Sequence, residues 1–131
     1  MNSKTIFASV LSGLLLISVL PTVADAATIL VKCEKRSGRS KVSVDGNNLR
    51  RGLYKCQAIS GANKATTRQK GTIGDELECD FDSNRNDILA GATPISSSFI
   101  QNNRVTGKIF RKNSQGKFVQ YLVATATCRN R

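Results

Sequence analysis

Histidine and tryptophan are absent from this 131-residue chain, and acidic residues number only nine against twenty basic ones. Without histidine, the chain lacks the commonest general base at neutral pH and the Cys/His ligand sets of zinc sites. Without tryptophan, it lacks the largest aromatic surface for stacking on a sugar substrate. We therefore expect a protein that is not an enzyme, and a small secreted hydrolase ranks third among the functions considered.

Long apolar runs are also scarce, since the chain has one at residues 6–20, after Lys4, and no second that could anchor it in a membrane. The run is followed by Ala-Asp-Ala at 24–26, which completes the three-part pattern of a cleaved secretory signal. We expect residues 1–26 to be a signal peptide. Residues 27–131 would then form a single secreted or periplasmic domain without a membrane span.

The predicted domain contains all four cysteines, namely Cys33, Cys56, Cys79 and Cys128. An even number in an exported chain favours two disulfides, and the spacing lacks the paired motifs of a zinc site. We predict a bridge from Cys33 to Cys128, because the first and last strands of a sandwich commonly lie near each other. Cys56 and Cys79 would form the other, because both lie on the inward faces of their strands.

Apolar and polar residues alternate along most of the domain, and no helical stripe is present. This pattern predicts an all-β fold, a small single-domain β-sandwich of about seven short antiparallel strands stapled by two disulfides. The expected strands cover residues near 29–33, 42–44, 53–59, 65–68, 76–82, 105–110 and 118–128. A turn is expected at 45–48 and a long loop at 83–93.

Six of the eight acidic residues of the domain fall between residues 75 and 87. Strand alternation places four of them on one face, namely Glu76, Glu78, Asp80 and Asp82. The interpretation that we favour pairs this row with Lys55 and neighbouring basic side chains across strands. Two closely spaced carboxylates could instead act as acid and base in a glycosidase, although nothing in the pattern raises the pKa of either.

The same segment supplies oxygen ligands at alternate positions, as calcium prefers. The candidate ligands are Asp80, Asp82, Asn84 and Asp87. Calcium is the only cofactor that the sequence suggests. A calcium-dependent structural or adhesion module is therefore the alternative function.

The 19 basic residues left after Lys4 is set aside form two sets, and the domain keeps the net charge of +11. The candidate binding residues are Arg50, Arg51 and Lys55 in one set and Arg111, Lys112 and Lys117 in the other. Such charge attracts anionic polymers or a cell-envelope surface. No aromatic-rich basic motif points to specific nucleic-acid recognition. We predict an exported, non-enzymatic β-domain that binds an anionic surface or ligand.

Overall fold

The computed structural model describes residues 26–131, so that the predicted signal peptide, residues 1–26, lies outside the described residues except for Ala26. No helix within residues 26–131 is long and apolar enough to cross a membrane. This part of the chain forms ten strands and one short helix. Their bounds are β1 (Thr28–Arg36), β2 (Arg39–Asn47), β3 (Leu53–Ser60), β4 (Asn63–Thr66), β5 (Lys70–Gly71), β6 (Leu77–Asp82), α1 (Arg85–Leu89), β7 (Thr93–Pro94), β8 (Arg104–Lys112), β9 (Phe118–Thr127) and β10 (Arg129–Asn130).

The strands form two sheets, which confirms the predicted all-β sandwich. Sheet I has the order β10-β1-β2-β6-β7, and sheet II has the order β4-β3-β8-β9, with β5 also paired to β3. Seven of the strands within residues 26–131 have four or more residues, and the other three have two each. Two of these short edge strands, β7 and β10, pair in parallel, whereas antiparallel pairing was expected throughout.

The core lies between the two sheets. It is formed by the apolar residues that alternate with polar ones along the strands and face inward. Val42 and Val44 of sheet I and Ile109 of sheet II are almost completely buried. Gly107 of β8 lies at a close approach of the two sheets, because a Cβ there would lie 2.5 Å from Val31 Cγ2. Only glycine fits such a close approach of two sheets.

The predicted turn at 45–48 begins later than expected, because β2 continues to Asn47. Gly46 is hydrogen-bonded into sheet I between Ile29 of β1 and Leu77 of β6. It is buried against Leu49 and Ile109, which a turn residue exposed to solvent would not be. Packing has therefore overridden the local turn propensity of this polar segment.

Both predicted disulfides are present with the predicted pairing, and both connect the two sheets. Cys56 of β3 bridges to Cys79 of β6, with 6.3 Å between their Cα atoms. Cys33 of β1 bridges to Cys128, which follows β9 where the chain crosses to sheet I, with 4.6 Å between Cα atoms. One bridge thus lies inside the core, and the other ties the first strand to the last long one.

The predicted loop at 83–93 contains the short helix α1. Asn84 caps it, because its side-chain oxygen accepts hydrogen bonds from the backbone N–H groups of Asn86 and Asp87 at 3.0 and 3.2 Å. Five residues are too few to show a helical period in the sequence.

Candidate anion-binding face

Part of the predicted acidic row lies exposed on the outer surface of sheet I. Glu78 and Asp80 lie opposite Asp45 and Ser43 of β2. Lys55, the predicted cross-strand partner, lies on β3 in sheet II, so this predicted pairing is wrong. The reason is the strand order, which places β2 rather than β3 beside β6.

These exposed carboxylates act on one another. Burial raises the pKa of Asp45, and the charges of Asp80 and Glu78 raise it further, although a hydrogen bond from Ser43 Oγ at 3.1 Å lowers it. Within residues 26–131, no group of three or more acidic or cysteine side chains is arranged to hold a metal ion. The outer surface of sheet I therefore carries charges of both signs, because Lys32 of β1 and Lys41 of β2 are exposed on the same sheet.

Asp82 departs from the alternation, because its side chain is only 2% exposed. Arg39 donates two hydrogen bonds to its carboxylate, at 3.0 and 2.7 Å, and one to Asp87 at 3.0 Å. The backbone N–H of Asn84 also donates to Asp82, at 2.9 Å. Burial pushes the pKa of Asp82 upward, but the hydrogen bonds from Arg39 and Asn84 outweigh burial and leave the pKa below its ordinary value.

The four predicted calcium ligands are only partly brought together. Asp82 and Asp87 share the guanidinium of Arg39. The side-chain oxygen of Asn84 caps α1, and Asp80 lies exposed on sheet I. A cation bound by this segment would have to displace Arg39 from both carboxylates, in competition with charge-assisted hydrogen bonds.

The two predicted basic sets meet in sheet II, because β3 pairs with β8. Lys55 of the first set lies opposite Phe110, and Lys112 of the second lies opposite Phe118. The ring of Phe118 is shared by both ammonium groups, since Lys55 Nζ lies 4.5 Å and Lys112 Nζ 5.9 Å from its centroid. Cation–π attraction holds these two like charges close together.

The strands of sheet II carry no acidic side chain. All eight acidic residues of the segment 27–131 belong to β1, β2, β6, α1 or the loop before β6. On the strands of sheet II, four lysines alternate with residues that pack toward the core and therefore lie on the outer surface. We call this surface the lysine face, and it comprises Lys55, Lys64, Lys108, Lys112 and the ring of Phe118.

The other predicted basic residues lie close to one end of the sandwich. Arg50 and Arg51 belong to the loop between β2 and β3, and Lys117 belongs to the turn between β8 and β9. Neither Arg51 nor Lys117 forms an ion pair within residues 26–131. Arg111 lies opposite Tyr54 of β3 rather than on the lysine face. The six predicted residues thus divide between the lysine face and this end.

Three members of the lysine face, Lys64, Lys108 and Phe118, are not among the predicted binding residues. A signal for them exists, because residues 46–74 and 88–131 contain no acidic side chain. The alternation of Lys108, Phe110 and Lys112 also places these three on one side of a strand. The pairing of β3 with β8 carries no such local signal.

Comparison of the chain with protein-family models, curated protein sequences and solved structures gives no match. A function is therefore inferred from the chemistry of the molecule's own surfaces.

Proposed function

We propose that this chain is an exported, non-enzymatic domain that binds an anionic polymer of the cell envelope or extracellular space through the lysine face. The observation that carries the proposal is the segregation of charge, because sheet II holds lysines without any acidic side chain while the acidic residues lie elsewhere. A surface of one sign attracts polyanions at long range and releases their counterions on binding. Lysines that are neutralised by acidic neighbours would neither attract polyanions at long range nor release their counterions.

Export is part of the same proposal. Two disulfides in a domain of this size are typical of an oxidising compartment, and the N-terminal pattern is that of a signal peptide. N-terminal sequencing of the exported protein should give Ala27 as the first residue. A secreted product that begins at Met1 would contradict the proposed processing.

The binding proposal is tested by salt elution from a heparin column with two matched double variants. Lys108→Gln with Lys112→Gln removes two charges from the lysine face. Lys32→Gln with Lys41→Gln removes two from the strands of sheet I and leaves the same net charge. The first variant should elute at lower salt, with the slope of log affinity against log salt reduced by about 2.

The control variant should elute close to the wild type. Equal losses in both variants would mean that net charge alone retains the protein, and unchanged retention in both would exclude the lysine face. Circular dichroism on all three proteins confirms that the fold is retained.

A further inference from the structure

At the end of the sandwich, two packed aromatic rings hold the guanidinium of Arg111 in place. Tyr54 is fully buried, and its hydroxyl donates a hydrogen bond to the backbone oxygen of Arg50 at 2.6 Å. The ring of Tyr121 packs on Tyr54 at 6.5 Å between centroids. Arg111 Cζ lies 5.8 Å from the centroid of Tyr121. Arg111 is therefore positioned before any ligand arrives, which lowers the entropic cost of binding.

A β-bulge gives Tyr121 this orientation. Ile109 pairs with Leu122 and Phe110 pairs with Gln120, so the register of β8 and β9 skips Tyr121. Bulges of this kind re-aim a side chain, and they are frequent beside functional sites. Tyr121 remains 39% exposed in spite of its contact with Tyr54.

Beside this ring lies a cleft of about 280 Å³, formed by the hairpin of β8 and β9. Its lining includes Arg111, Lys112, Ser114, Gln120 and Tyr121. Within residues 26–131, Arg111 forms no ion pair, and the hairpin itself contains no acidic residue. The cleft thus offers a planar cationic donor, neutral hydrogen-bonding groups and one partly exposed aromatic ring.

We propose that this hairpin cleft binds a single sulfated pyranose of the polymer, an inference that rests on the proposed function. Arg111 donates hydrogen bonds to the sulfate oxygens, since its fork-shaped guanidinium matches a tetrahedral oxyanion. The exposed part of the Tyr121 ring packs against the sugar, and Ser114 and Gln120 meet its hydroxyl groups. A cleft of this volume lies just below the range of about 300 to 1,000 Å³ that is usual for drug-sized ligands and suits one sugar residue.

The arrangement of aromatic rings favours a sugar over a single-stranded nucleic acid. Stacking of successive bases needs a series of open aromatic faces beside a basic groove. Here the ring of Phe118 is already in contact with Lys55 and Lys112. The ring of Tyr121 is in contact with Arg111 and Tyr54, and its exposed part borders the cleft. The hairpin thus offers part of one ring to a single sugar and no series of open faces for successive bases.

Two probes of similar charge separate this site from the lysine face, namely a heparin hexasaccharide and inorganic polyphosphate. Tyr121→Leu keeps the charge of the cleft and removes the aromatic ring that is proposed to contact the sugar. It should lower the affinity for the hexasaccharide by about tenfold, the loss of an aromatic packing contact, and leave the affinity for polyphosphate within about twofold. Lys117→Gln, in the same hairpin and outside the cleft, is the control and should weaken both probes by a similar small factor.

Equal losses for both probes in Tyr121→Leu would overturn the sugar site and leave the proposed function standing. Failure of the wild type to bind either probe would remove the proposed function itself. A titration of the ¹⁵N-labelled wild type with glucosamine 6-sulfate avoids any effect of substitution on folding. Shifts at Ser114, Gln120 and Tyr121 are expected, and shifts confined to Lys108 and its strand neighbours would contradict the proposal.

Discussion

Replacement of Gly107 by alanine tests the close contact between the two sheets. The added Cβ would lie 2.5 Å from Val31 Cγ2 and 2.9 Å from Val44 Cγ2, so the sheets or both valines must shift. Valine side chains have little freedom about χ1, and both valines are buried in sheet I. We expect a loss near the upper end of the range for overpacked cores, about 3 kcal/mol in the free energy of unfolding.

Equilibrium unfolding in urea measures this loss, with Gly71→Ala as the matched control. Nothing lies within 4 Å of a Cβ at Gly71, so its replacement should change the free energy by less than about 0.5 kcal/mol. Addition of Val31→Ala to Gly107→Ala removes the closer of the two clashing methyl groups. The double variant should be more stable than the sum of the two single losses by about 1 kcal/mol or more. A Gly107→Ala variant as stable as Gly71→Ala would refute the described packing of the sheets.

Three further predictions concern the ion pairs, the bridges and calcium. The folded-state pKa of Asp82 is depressed, so its contribution to stability is complete above its unfolded pKa of about 3.9 and is lost as the pH falls through the folded pKa. Arg39→Met should lower the free energy of unfolding by about 3 kcal/mol at pH 7, as measured by urea unfolding. A smaller loss at pH 7 than at pH 2 would contradict the expected direction of this pH dependence. Cys33→Ala with Cys128→Ala should lower the free energy of unfolding by about 4.7 kcal/mol, on the chain-entropy estimate for a separation of 95 residues. A loss under about 2 kcal/mol would contradict this estimate. Millimolar calcium should leave the melting temperature in calorimetry unchanged, whereas a clear rise would favour the calcium-dependent alternative.

Most of the fold could be predicted because the alternation that specifies each strand is a local sequence pattern. Inward residues such as Val42 and Val44 alternate with polar ones, and this period alone specifies a half-buried strand. The disulfide pairing followed from which faces of the strands carry Cys56 and Cys79. Helix α1 is too short to leave a period, and the continuation of β2 through Gly46 depends on packing against Ile109, which is distant in the sequence.

The candidate site could be predicted only in part, because its decisive contacts are non-local. Alternation predicts that Asp82 is exposed, yet Arg39, 43 positions earlier in the chain, holds it in a buried ion pair. Lys55 and Lys112 belonged to separate predicted sets, and only the pairing of β3 with β8 unites them on Phe118. Sequence patterns give strand faces, but they do not give the order of strands in a sheet.

The most direct test of the lysine face is a titration of the ¹⁵N-labelled protein with a heparin oligosaccharide, followed by amide chemical shifts at increasing salt. We expect the largest shifts on the outer residues of sheet II, including Lys55, Lys108 and Lys112, and we expect them to vanish as salt weakens binding. Glu78 and Asp80 on sheet I should stay unchanged. Shifts of equal size on the two sheets, or shifts that persist at high salt, would contradict binding by a charged face of sheet II.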